Sequence, residues 1–494
     1  MTQSSVHDGL TRYDAVIVGA GFAGMYMLHR LRQQGFTARV FEAGTGVGGT
    51  WYWNRYPGAR CDVVSVEYSY QFSEELQQEW EWSERYATQP EILRYANHVA
   101  DRFDLRRDIQ FETRVTAAHF DESAGRWLVD TDRGERVSAQ FCIMATGCLS
   151  STNLPDFPGR DSFRGATYHT GQWPHEGVDF TGKRVAVIGT GSSAIQSVPI
   201  IAEQAAQLTV FQRTASYTIP AHNAPMPAEE VAAIKRDYRG FRERNKQQPF
   251  GVDFQASNQS ALAVSDEERE REYEARWARG GLAFLGAFGD LLFDRDANRT
   301  AAEFIRRKIH AIVKDPELAA KLTPSQIVGC KRLCVDTGYY ETFNRPNVAL
   351  VDVGATPIEA IKPTGLRVGG RDYAFDCIVF ATGFDAMTGA LLKIDVRGRG
   401  GLPLQQKWAE GPRTYLGLQT AGFPNLFTIT GPGSPSVLTN MLPSIEQHVE
   451  WIADCIGYLC GHDIHTIEAS VAAEDAWVEH VNSVASRTLY PGCN

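Results

Sequence analysis

Residues 14–24 read DAVIVGAGFAG, an apolar run that passes directly into a glycine-rich turn. The following residues, MYMLHRLRQQGF (25–36), have helical apolar spacing, and RVFEA (39–43) has the pattern of a second strand. A strand, a glycine turn, a helix and a strand within about 30 residues form the βαβ unit of a dinucleotide-binding fold. The stretch therefore predicts an α/β protein with a Rossmann-like domain.

The same unit occurs a second time. KRVAVIGTGSSA (183–194) leads into a helical segment and then into LTVFQR (208–213). In each copy 23 residues separate the first glycine from the residue near the strand end, Gly19 from Glu42 and Gly189 from Gln212. A lone glycine motif is often a turn without a ligand, but two motifs in matched positions are far more specific. We therefore expect two Rossmann-like dinucleotide-binding domains.

The glycine turns supply the candidate phosphate-binding residues. In such turns the first glycine permits the tight turn, the second admits the pyrophosphate, and the third lets helix and strand pack closely. The first motif provides Gly19, Gly21 and Gly24, and the second provides Gly189, Gly191, Ser192, Ser193 and Gln196, with Ala194 in the third glycine position.

The residues at the two strand ends differ in charge. Glu42 can accept hydrogen bonds from both hydroxyls of an unphosphorylated ribose, as in FAD. Gln212 carries no charge, and Arg213 beside it can pair with a 2′-phosphate, although an exposed arginine is often merely solvated. The sequence thus predicts FAD in the first site and NADPH in the second.

Length and composition limit the class of protein. With 494 residues, 43% hydrophobic and 22% charged, the chain fits a globular protein of two to four domains. The net charge of −10 disfavours a nucleic-acid surface. No apolar run is long enough to span a membrane, and MTQSSVHDGLTRYDAV (1–16) lacks the succession of a signal peptide, with a strand expected from about Asp14. These features predict a cytoplasmic protein and indicate no membrane or protein partner.

The nine cysteines are scattered along the chain and fit neither a zinc spacing nor a CxxC motif. We expect reduced thiols and no metal site. Cys61, the one cysteine in the first cofactor region, has no nearby partner. A disulfide reductase is therefore disfavoured, and O2 is the simpler acceptor for the electrons.

Two further strand ends suggest how the domains are connected. FCIMATGCLS (141–150) and CIVFATGFDAMTG (377–389) are apolar strands that both stop at Ala-Thr-Gly, which suggests a double crossing between domains. A polar stretch with helical signals lies between them, and Ser265 with Glu268 forms a capping box within it. We predict an FAD domain from 1–148 and 384–494, an NADP domain from 149–214 and 330–383, and a helical insertion in the NADP domain over 215–329.

The stretch GGTWYWNRYPGARCD (48–62) is rich in aromatic residues and glycines. Its aromatic side chains are best interpreted as packing under a cofactor. Asp62 is different, because a carboxylate beside a flavin would need a cationic partner. The segment CKRLCVD (330–336) offers Lys331 and Arg332 for that role.

The segment FRGATYHTGQWP (163–174) has the FxGxxxHxxxWP pattern of Baeyer–Villiger monooxygenases. The pattern is carried by Phe163, Gly165, His169, Trp173 and Pro174. The stretch 48–62 resembles the second long fingerprint of that family, with Gly49, Trp51, Tyr56, Pro57, Gly58 and Asp62 in place. The resemblance implies that Gly49, Trp51, Tyr56 and Asp62 contribute to cofactor binding. The likeness extends over nearly the whole chain. Within the family, the chain resembles most the phenylacetone, steroid and cyclohexanone monooxygenase group.

The resemblance implies a reaction. NADPH would reduce FAD, O2 would form a C4a-peroxyflavin, and attack on a ketone would yield an ester or a lactone. Arg332 matches the family's active-site arginine and Asp62 the carboxylate that positions it. Lys331 would join Arg213 and Thr214 at the NADPH 2′-phosphate. The loop with Ser436, Val437 and Leu438 would line the substrate side, and the FxGxxxHxxxWP segment would act as a hinge rather than supply His169 for proton transfer.

The chain departs from the family pattern in two places. SQIVGCKR (325–332) lacks the proline that relatives usually carry before the lysine-arginine pair, and relatives continue beyond TLYPGCN with a tryptophan-containing loop. Two alternatives stay open, an N- or S-oxidising flavin monooxygenase and a non-catalytic FAD/NADPH redox sensor. Trp173, Pro174 and Asp62 favour the Baeyer–Villiger reaction.

Overall fold

The computed structural model describes residues 6–7 and 10–493. The predicted FAD domain also includes residues 1–5, 8–9 and 494, which lie outside the described part of the chain. The first long strand begins at Leu10, four residues before the predicted start at Asp14, because Thr11 to Tyr13 already pair with residues 137–139.

The strands are β1 Val6–His7, β2 Leu10–Val18, β3 Ala38–Phe41, β4 Ile109–Gln110, β5 Val115–Asp121, β6 Arg126–Thr131, β7 Arg136–Met144, β8 Ala166–His169, β9 Arg184–Ile188, β10 Gln207–Gln212, β11 Thr218–Pro220, β12 Cys334–Asp336, β13 Val348–Asp352, β14 Ile358–Lys362, β15 Gly365–Val368, β16 Arg371–Ala374, β17 Cys377–Phe380, β18 Asp395–Arg397 and β19 Leu426–Thr428.

The α-helices are α1 Phe22–Gln33, α2 Thr50–Trp53, α3 Glu74–Glu79, α4 Gln89–Arg102, α5 Ser192–Gln204, α6 Ala228–Arg236, α7 Tyr238–Lys246, α8 Asp266–Arg279, α9 Arg295–Ile312, α10 Pro316–Leu322, α11 Tyr339–Thr342, α12 Gly389–Leu392, α13 Leu404–Lys407, α14 Met441–Gly461 and α15 Val471–Ser486.

The first βαβ unit lies at the centre of the larger sheet. This sheet has the strand order β18-β5-β6-β7-β2-β3-β4, and β1 and β19 pair with β2 and β7. Val16 and Ile17 of β2 are fully buried, as expected for a strand covered on both faces. Helix α1 packs on the sheet and against α14, and a side chain at Gly24 would collide with the Gly19 carbonyl. The third glycine is therefore required for close packing of helix and turn.

The second βαβ unit forms a separate, wholly parallel sheet. Its strand order is β13-β10-β9-β17-β8. Strand β8, which lies within the FxGxxxHxxxWP segment, forms one edge of the sheet beside β17. The two sheets confirm the predicted α/β class with two Rossmann-like dinucleotide-binding folds.

Helices α6 to α10 lie in the chain between β11 and β12, and these two strands pair in parallel. The predicted capping box is confirmed, since Ser265 and Glu268 cap α8 reciprocally. Tyr273, Phe284 and Phe304 stack in the core of this helical insertion, with ring centroids 5.3–5.9 Å apart. The division of the chain into cofactor domains stays a prediction.

The two Ala-Thr-Gly strand ends lead into connections that run side by side. The Asn153 N–H donates to the Gly383 carbonyl at 3.0 Å, and the Met387 N–H donates to the Cys148 carbonyl at 2.8 Å. The chain therefore passes between the two sheets through a pair of hydrogen-bonded segments.

The expectation of nine reduced thiols is wrong for two cysteines, because Cys330 and Cys493 form a disulfide. They are 163 residues apart, so their spacing along the chain carries no signal of the pairing. Over 10–493 and 6–7, no helix has the length and apolar character needed to cross a membrane. The same residues contain no cluster of three or more His, Cys, Asp or Glu side chains suited to a metal ion.

Candidate active site

Both glycine turns lead into helix N-termini that are suited to a pyrophosphate. Helix α1 follows Gly21 and α5 follows Gly191, and neither start has a side-chain cap or an acidic residue in its first turn. The N–H groups at a helix start and the helix dipole favour an anion there. Both turns therefore fit a dinucleotide phosphate.

The glycines themselves show why larger residues would not serve. Gly19 and Gly189 have φ angles of +105° and +118°, and a Cβ at either would collide with a backbone carbonyl. A Cβ at Gly191 would meet nothing within 4 Å, which leaves open space above the start of α5. Gly21 and Gly49 approach so closely that a Cβ at Gly49 would lie 2.8 Å from the Gly21 Cα. The 48–62 stretch therefore packs directly on the first glycine turn.

Glu42 lies beside the first glycine turn. Its Oε2 accepts the N–H of Ala20 at 2.7 Å and its Oε1 accepts the N–H of Gly44 at 2.8 Å. The residue is 5% exposed, and burial raises the pKa of its carboxyl group. A carboxylate has about four acceptor positions, so this one retains capacity for ribose hydroxyls.

At the end of β10, the orientation of Gln212 differs from the expected position beside a ribose. Its side chain is buried and donates through Nε2 to the Lys321 carbonyl at 2.7 Å, so it faces the insertion rather than a ribose. Arg213 is exposed. Partial desolvation lowers the pKa of Lys331, and the positive charge of neighbouring Arg213 acts in the same direction. The charge of Arg213 therefore reaches Lys331, and the ion pairs among the described residues involve neither of these two cations.

Other polar residues at the second site bond to protein groups. The Ser192 hydroxyl lies 3.1 Å from the Cys334 sulfur, and the Ser193 hydroxyl lies 3.0 Å from that of Thr170. The carbonyl of Thr214 accepts the Thr190 hydroxyl at 2.6 Å. These contacts fix the glycine turn to the strands around it.

Gln196 of α5 joins the two nucleotide-binding folds. Its Oε1 accepts the Tyr56 hydroxyl at 2.8 Å, and its Nε2 donates to the Arg60 carbonyl at 3.1 Å. Gly58, with φ +80°, lies so close to α5 that a Cβ would be 2.2 Å from the Gln196 carbonyl oxygen. Tyr56 and Gln196, both predicted to bind cofactor, thus form an interface between the 48–62 stretch and α5.

Arg332 and Asp62, 270 residues apart in the sequence, form a bidentate ion pair. The Arg332 Nε and Nη2 each lie 2.7 Å from a different Asp62 oxygen. The Arg332 Nη1 donates to the Val437 carbonyl at 3.1 Å. The side chains of Arg332 and Asp62 are 39% and 16% exposed, so the guanidinium remains partly accessible while its partner is largely covered.

Asp62 also stabilises the charged form of Arg332. Its negative charge is the largest influence and raises the pKa of the guanidinium, against the opposing effect of burial. Arginine is already protonated at any working pH. The site therefore holds a permanent positive charge in a fixed orientation.

The predicted substrate loop lies against this arginine. Ser436–Leu438 form a single 3₁₀ turn, and Ser436 is buried with φ +42°. The Ser436 hydroxyl donates to the Met387 sulfur at 3.6 Å, while Leu438 is 50% exposed. The loop thus provides a carbonyl for Arg332 and an exposed apolar side chain.

The FxGxxxHxxxWP segment lies at the edge of the second sheet. Nδ1 of His169 accepts the N–H of Gly171 at 3.0 Å, so Nε2 carries the proton and faces the Asn153 carbonyl at 3.3 Å. Burial lowers the pKa of His169, which favours the neutral ring. Both ring nitrogens therefore have partners at the connection between the sheets.

The other motif residues hold this segment in place. Trp173 is buried and packs on Tyr168, with ring centroids 5.4 Å apart. Phe163 packs against the core beside β17, and a Cβ at Gly165 would lie 2.4 Å from the Asp376 carbonyl oxygen. The Pro174 carbonyl accepts the N–H of Gly177 at 3.2 Å. Trp51, from the 48–62 stretch, is likewise buried and donates to the Tyr68 hydroxyl at 3.1 Å.

Two features of the site have no signal in the sequence. The Val437 contact to Arg332 is made by a backbone carbonyl, which any residue could supply. Glu67 lies five residues after Asp62 and contacts both the insertion and the residue after the substrate loop, but it belongs to no recognisable motif.

Known proteins resemble this chain over nearly its full length. A family model described as pyridine nucleotide-disulphide oxidoreductase matches residues 16–237. A Baeyer–Villiger monooxygenase of Pseudooceanicola batsensis is 46% identical over 97% of this chain and 88% of its own length. The chain belongs to the Baeyer–Villiger monooxygenase family.

Further matches also cover nearly the whole chain. A solved structure described as oxidized steroid monooxygenase bound to NADP is 56% identical, covers 98% of this chain and 93% of its own, and has a TM-score of 0.95. A phenazine N-monooxygenase of Lysobacter antibioticus is 43% identical over 97% of this chain and 89% of its own length. This Baeyer–Villiger monooxygenase is an FAD- and NADP-dependent enzyme, as the two strand ends and the motifs predicted.

Proposed function

We propose that the protein inserts one oxygen atom of O2 beside the carbonyl group of a ketone, consuming NADPH and releasing an ester or a lactone. Family membership supports the reaction class. The observation that carries the proposal is the Arg332 guanidinium, which Asp62 and the Val437 carbonyl hold in one orientation while it stays partly accessible. Cleavage of a disulfide by this site is disfavoured, because the cysteines within 16–237, Cys61, Cys142 and Cys148, include no CxxC pair.

Bound FAD supplies the oxygen chemistry, with NADPH as the source of electrons. The first glycine turn and the start of α1 would hold its pyrophosphate, and Glu42 would accept from its ribose. Arg213 and Lys331 would hold the 2′-phosphate of NADPH, since two neighbouring cations without a carboxylate partner match a doubly charged phosphate.

Arg332 acts on negative charge that develops during oxygen transfer. Three of its five N–H donors are used by Asp62 and Val437, which leaves two for an oxyanion. Because these donors are oriented before the reaction, they cost no reorganisation when the charge appears. Asp62 positions the guanidinium, and its own oxygens are occupied by that task.

His169 has a structural part in this proposal. Its neutral ring is hydrogen-bonded at both nitrogens, so it has no free position for proton abstraction. It joins the end of β8 to the Asn153 segment that connects the two sheets. We propose that the FxGxxxHxxxWP segment sets the relative placement of the nucleotide-binding folds.

Product analysis tests the function. The FAD-loaded enzyme is mixed with NADPH, O2 and a panel of aryl, cyclic and steroidal ketones, and products are followed by mass. We expect at least one ketone to gain a single oxygen atom with matching NADPH consumption. Flavin reduction that yields only hydrogen peroxide with every ketone would overturn the proposal and favour a redox sensor.

A second candidate function is oxidation of a ring nitrogen. The Lysobacter relative is named as a phenazine N-monooxygenase and shares the fold over the same length. A phenazine belongs in the same panel, and an N-oxide without any ester would make nitrogen oxidation the main activity. The cytoplasmic location stays a prediction from the sequence.

A further inference from the structure

Glu67 connects the helical insertion to the segment that begins at Asp62. The residue is 4% exposed, and its Oε1 accepts two hydrogen bonds. One comes from Asn245 Nδ2 at 3.1 Å and the other from the N–H of Asp253 at 2.8 Å. Both donors belong to the insertion, at the end of α7 and in the segment that follows.

The backbone carbonyl of Glu67 makes a second set of contacts. It accepts Arg242 Nη1 at 3.0 Å and Asn440 Nδ2 at 2.9 Å. Asn440 caps α14 and follows directly on the Ser436–Leu438 turn and Thr439. Its own N–H donates to the Phe250 carbonyl at 2.8 Å, which also accepts the Thr439 hydroxyl at 2.8 Å. The insertion therefore holds the end of the substrate loop directly as well as through Glu67.

These contacts close a ring with Arg332. At one end the guanidinium binds Asp62 and the Val437 carbonyl. From there two short segments, 62–67 and 437–440, lead to the Glu67–Asn440 hydrogen bond at the other end. A displacement at Glu67 thus reaches both protein partners of Arg332 through only a few residues.

Little space is available to absorb such a displacement. Glu67 lines a cavity of about 30 Å³ between the insertion and the 62–67 segment. This volume holds about one or two water molecules. The charged groups around the carboxylate are Asp62, Arg85, Asp253 and Arg279 in the cavity wall, and Arg242 behind it. Burial raises the pKa of Glu67 to about 7.

We propose that Glu67 is a positioning residue that seats the helical insertion against the substrate loop and thereby sets the orientation of the Arg332 guanidinium. The role in catalysis rests on the proposed ketone oxidation. The anchoring of the insertion to the loop does not depend on it. The Glu67 carboxylate, rather than the Glu67 backbone, provides the contacts that a substitution can remove, because only the side chain reaches Asn245 and Asp253.

The first test is hydrogen exchange on the FAD-loaded protein, which needs no substrate. Glu67→Ala should speed amide exchange over residues 437–442 by about tenfold or more, as expected for the loss of two buried hydrogen bonds. Glu67→Gln should exchange like the wild type, because its amide oxygen can accept from the same two donors. Faster exchange in Glu67→Gln equal to that in Glu67→Ala would contradict the acceptor role.

Glu91→Ala is the matched control. Glu91 is 3% exposed and its carboxylate also accepts a backbone N–H, that of Ser83 at 2.9 Å, but neither residue belongs to the insertion. It should leave exchange over 437–442 unchanged. An equal increase in this control would mean that general destabilisation explains the result, and the proposal would fall.

The second test measures how the electrons from NADPH are divided between ester and hydrogen peroxide, with a ketone that the wild type converts. In Glu67→Ala, the rate of flavin reduction by NADPH should stay unchanged. The yield of ester per NADPH should fall about tenfold, because a charge-assisted contact of Arg332 is misplaced, and hydrogen peroxide should form in place of the ester. Glu67→Gln should restore the ester yield. An unchanged ester yield in Glu67→Ala would contradict the positioning of Arg332.

The outcomes separate the two proposals. If the wild type forms no ester with any ketone, the proposed function fails, while the hydrogen-exchange data still test the anchoring role of Glu67. If Glu67→Ala does not fold, Asn245→Ala replaces it, because this change removes one of the two donors and leaves the carboxylate in place. Asn245→Ala should then show faster exchange over 437–442, and no change would overturn the anchoring role.

Discussion

Arg332 combines a permanent charge with a fixed orientation, and the two properties have different origins. The charge belongs to the guanidinium, whereas the orientation comes from the two 2.7 Å contacts to Asp62 and from the Val437 carbonyl. Substitutions at this residue can therefore separate charge from geometry.

We expect Arg332→Ala to reduce ester formation by about 10²–10³-fold, the usual effect of removing one preorganised donor for an oxyanion. Arg332→Lys should fall between Ala and wild type, because an ammonium keeps the charge but lacks the planar fork. Ester formation and the flavin absorbance of the purified protein are measured together. Arg136→Ala, which breaks a surface pair with Asp130, is the control and should behave like wild type. Wild-type ester formation by Arg332→Ala would exclude the role.

Arg213 is the residue that should distinguish NADPH from NADH. Arg213→Ala should raise the KM for NADPH by about tenfold or more, because a charge-assisted contact to phosphate is worth about 1.5–3 kcal/mol. The KM for NADH should stay unchanged, since NADH lacks the 2′-phosphate. Steady-state kinetics with both nucleotides measure this, with exposed Arg236→Ala as the control. An equal rise for both nucleotides would contradict the assignment.

At the scale of elements, the decisive contact is that between α5 and the 56–60 loop. Gln196 bonds Tyr56 and Arg60, and Gly58 lies against the helix backbone. Helix α5 begins at the second glycine turn, while the loop continues to Asp62. The contact therefore ties the nicotinamide side of the enzyme to the segment that holds Arg332.

Gly58→Ala tests this contact. The new Cβ would lie 2.2 Å from the Gln196 carbonyl oxygen, so loop and helix must separate. We expect slower flavin reduction by NADPH and a lower melting temperature. Gly134→Ala is matched, because Gly134 also has positive φ but a Cβ there meets nothing within 4 Å. It should cost about 1 kcal/mol from backbone strain alone and leave the reduction rate unchanged. Equal reduction rates in the two variants would contradict an effect of the interface.

At the scale of the whole molecule, buried carboxyl groups link folding to pH. Glu446 on α14 is 5% exposed, and its Oε1 accepts the N–H groups of Gln71 and Phe72. Burial raises its pKa from 4.5 to about 7, with Arg242 acting against this shift and Glu450 in favour of it. Because the folded state keeps the proton longer, the stability from this group is complete below pH 4.5 and is lost as the pH rises through about 7.

Glu446→Gln should remove this pH dependence. The free energy of unfolding of Glu446→Gln minus that of the wild type should increase as the pH rises from 4.5 to 7, by an amount on the order of 3 kcal/mol. Urea unfolding at several pH values measures the difference. Glu75→Gln, a change at an exposed carboxylate, should show no such rise. A constant difference between Glu446→Gln and wild type would contradict the raised pKa.

Much of the fold was predictable because its signals are local. Each βαβ unit needs only about 30 consecutive residues, and the glycine turn, helix start and strand end have fixed spacings within it. The prediction of two nucleotide-binding folds and of the capping box at Ser265 rests on such patterns, and the structure confirms both. The family could be recognised from 163–174 and 48–62 for the same reason.

Contacts between distant segments were decided only by the tertiary structure. The family resemblance in the sequence pairs Asp62 with Arg332, but only the packing of the chain gives that pair its bidentate geometry and adds the Val437 carbonyl. Packing also turns Gln212 toward Lys321, pairs Cys330 with Cys493 and places Glu67 between the insertion and the substrate loop. By itself, the sequence determined the two cofactor folds, since local spacing and backbone geometry specify them. The arrangement around Arg332 depends on segments up to 375 residues apart, from Asp62 to Val437, and only the packing of the whole chain brings them together.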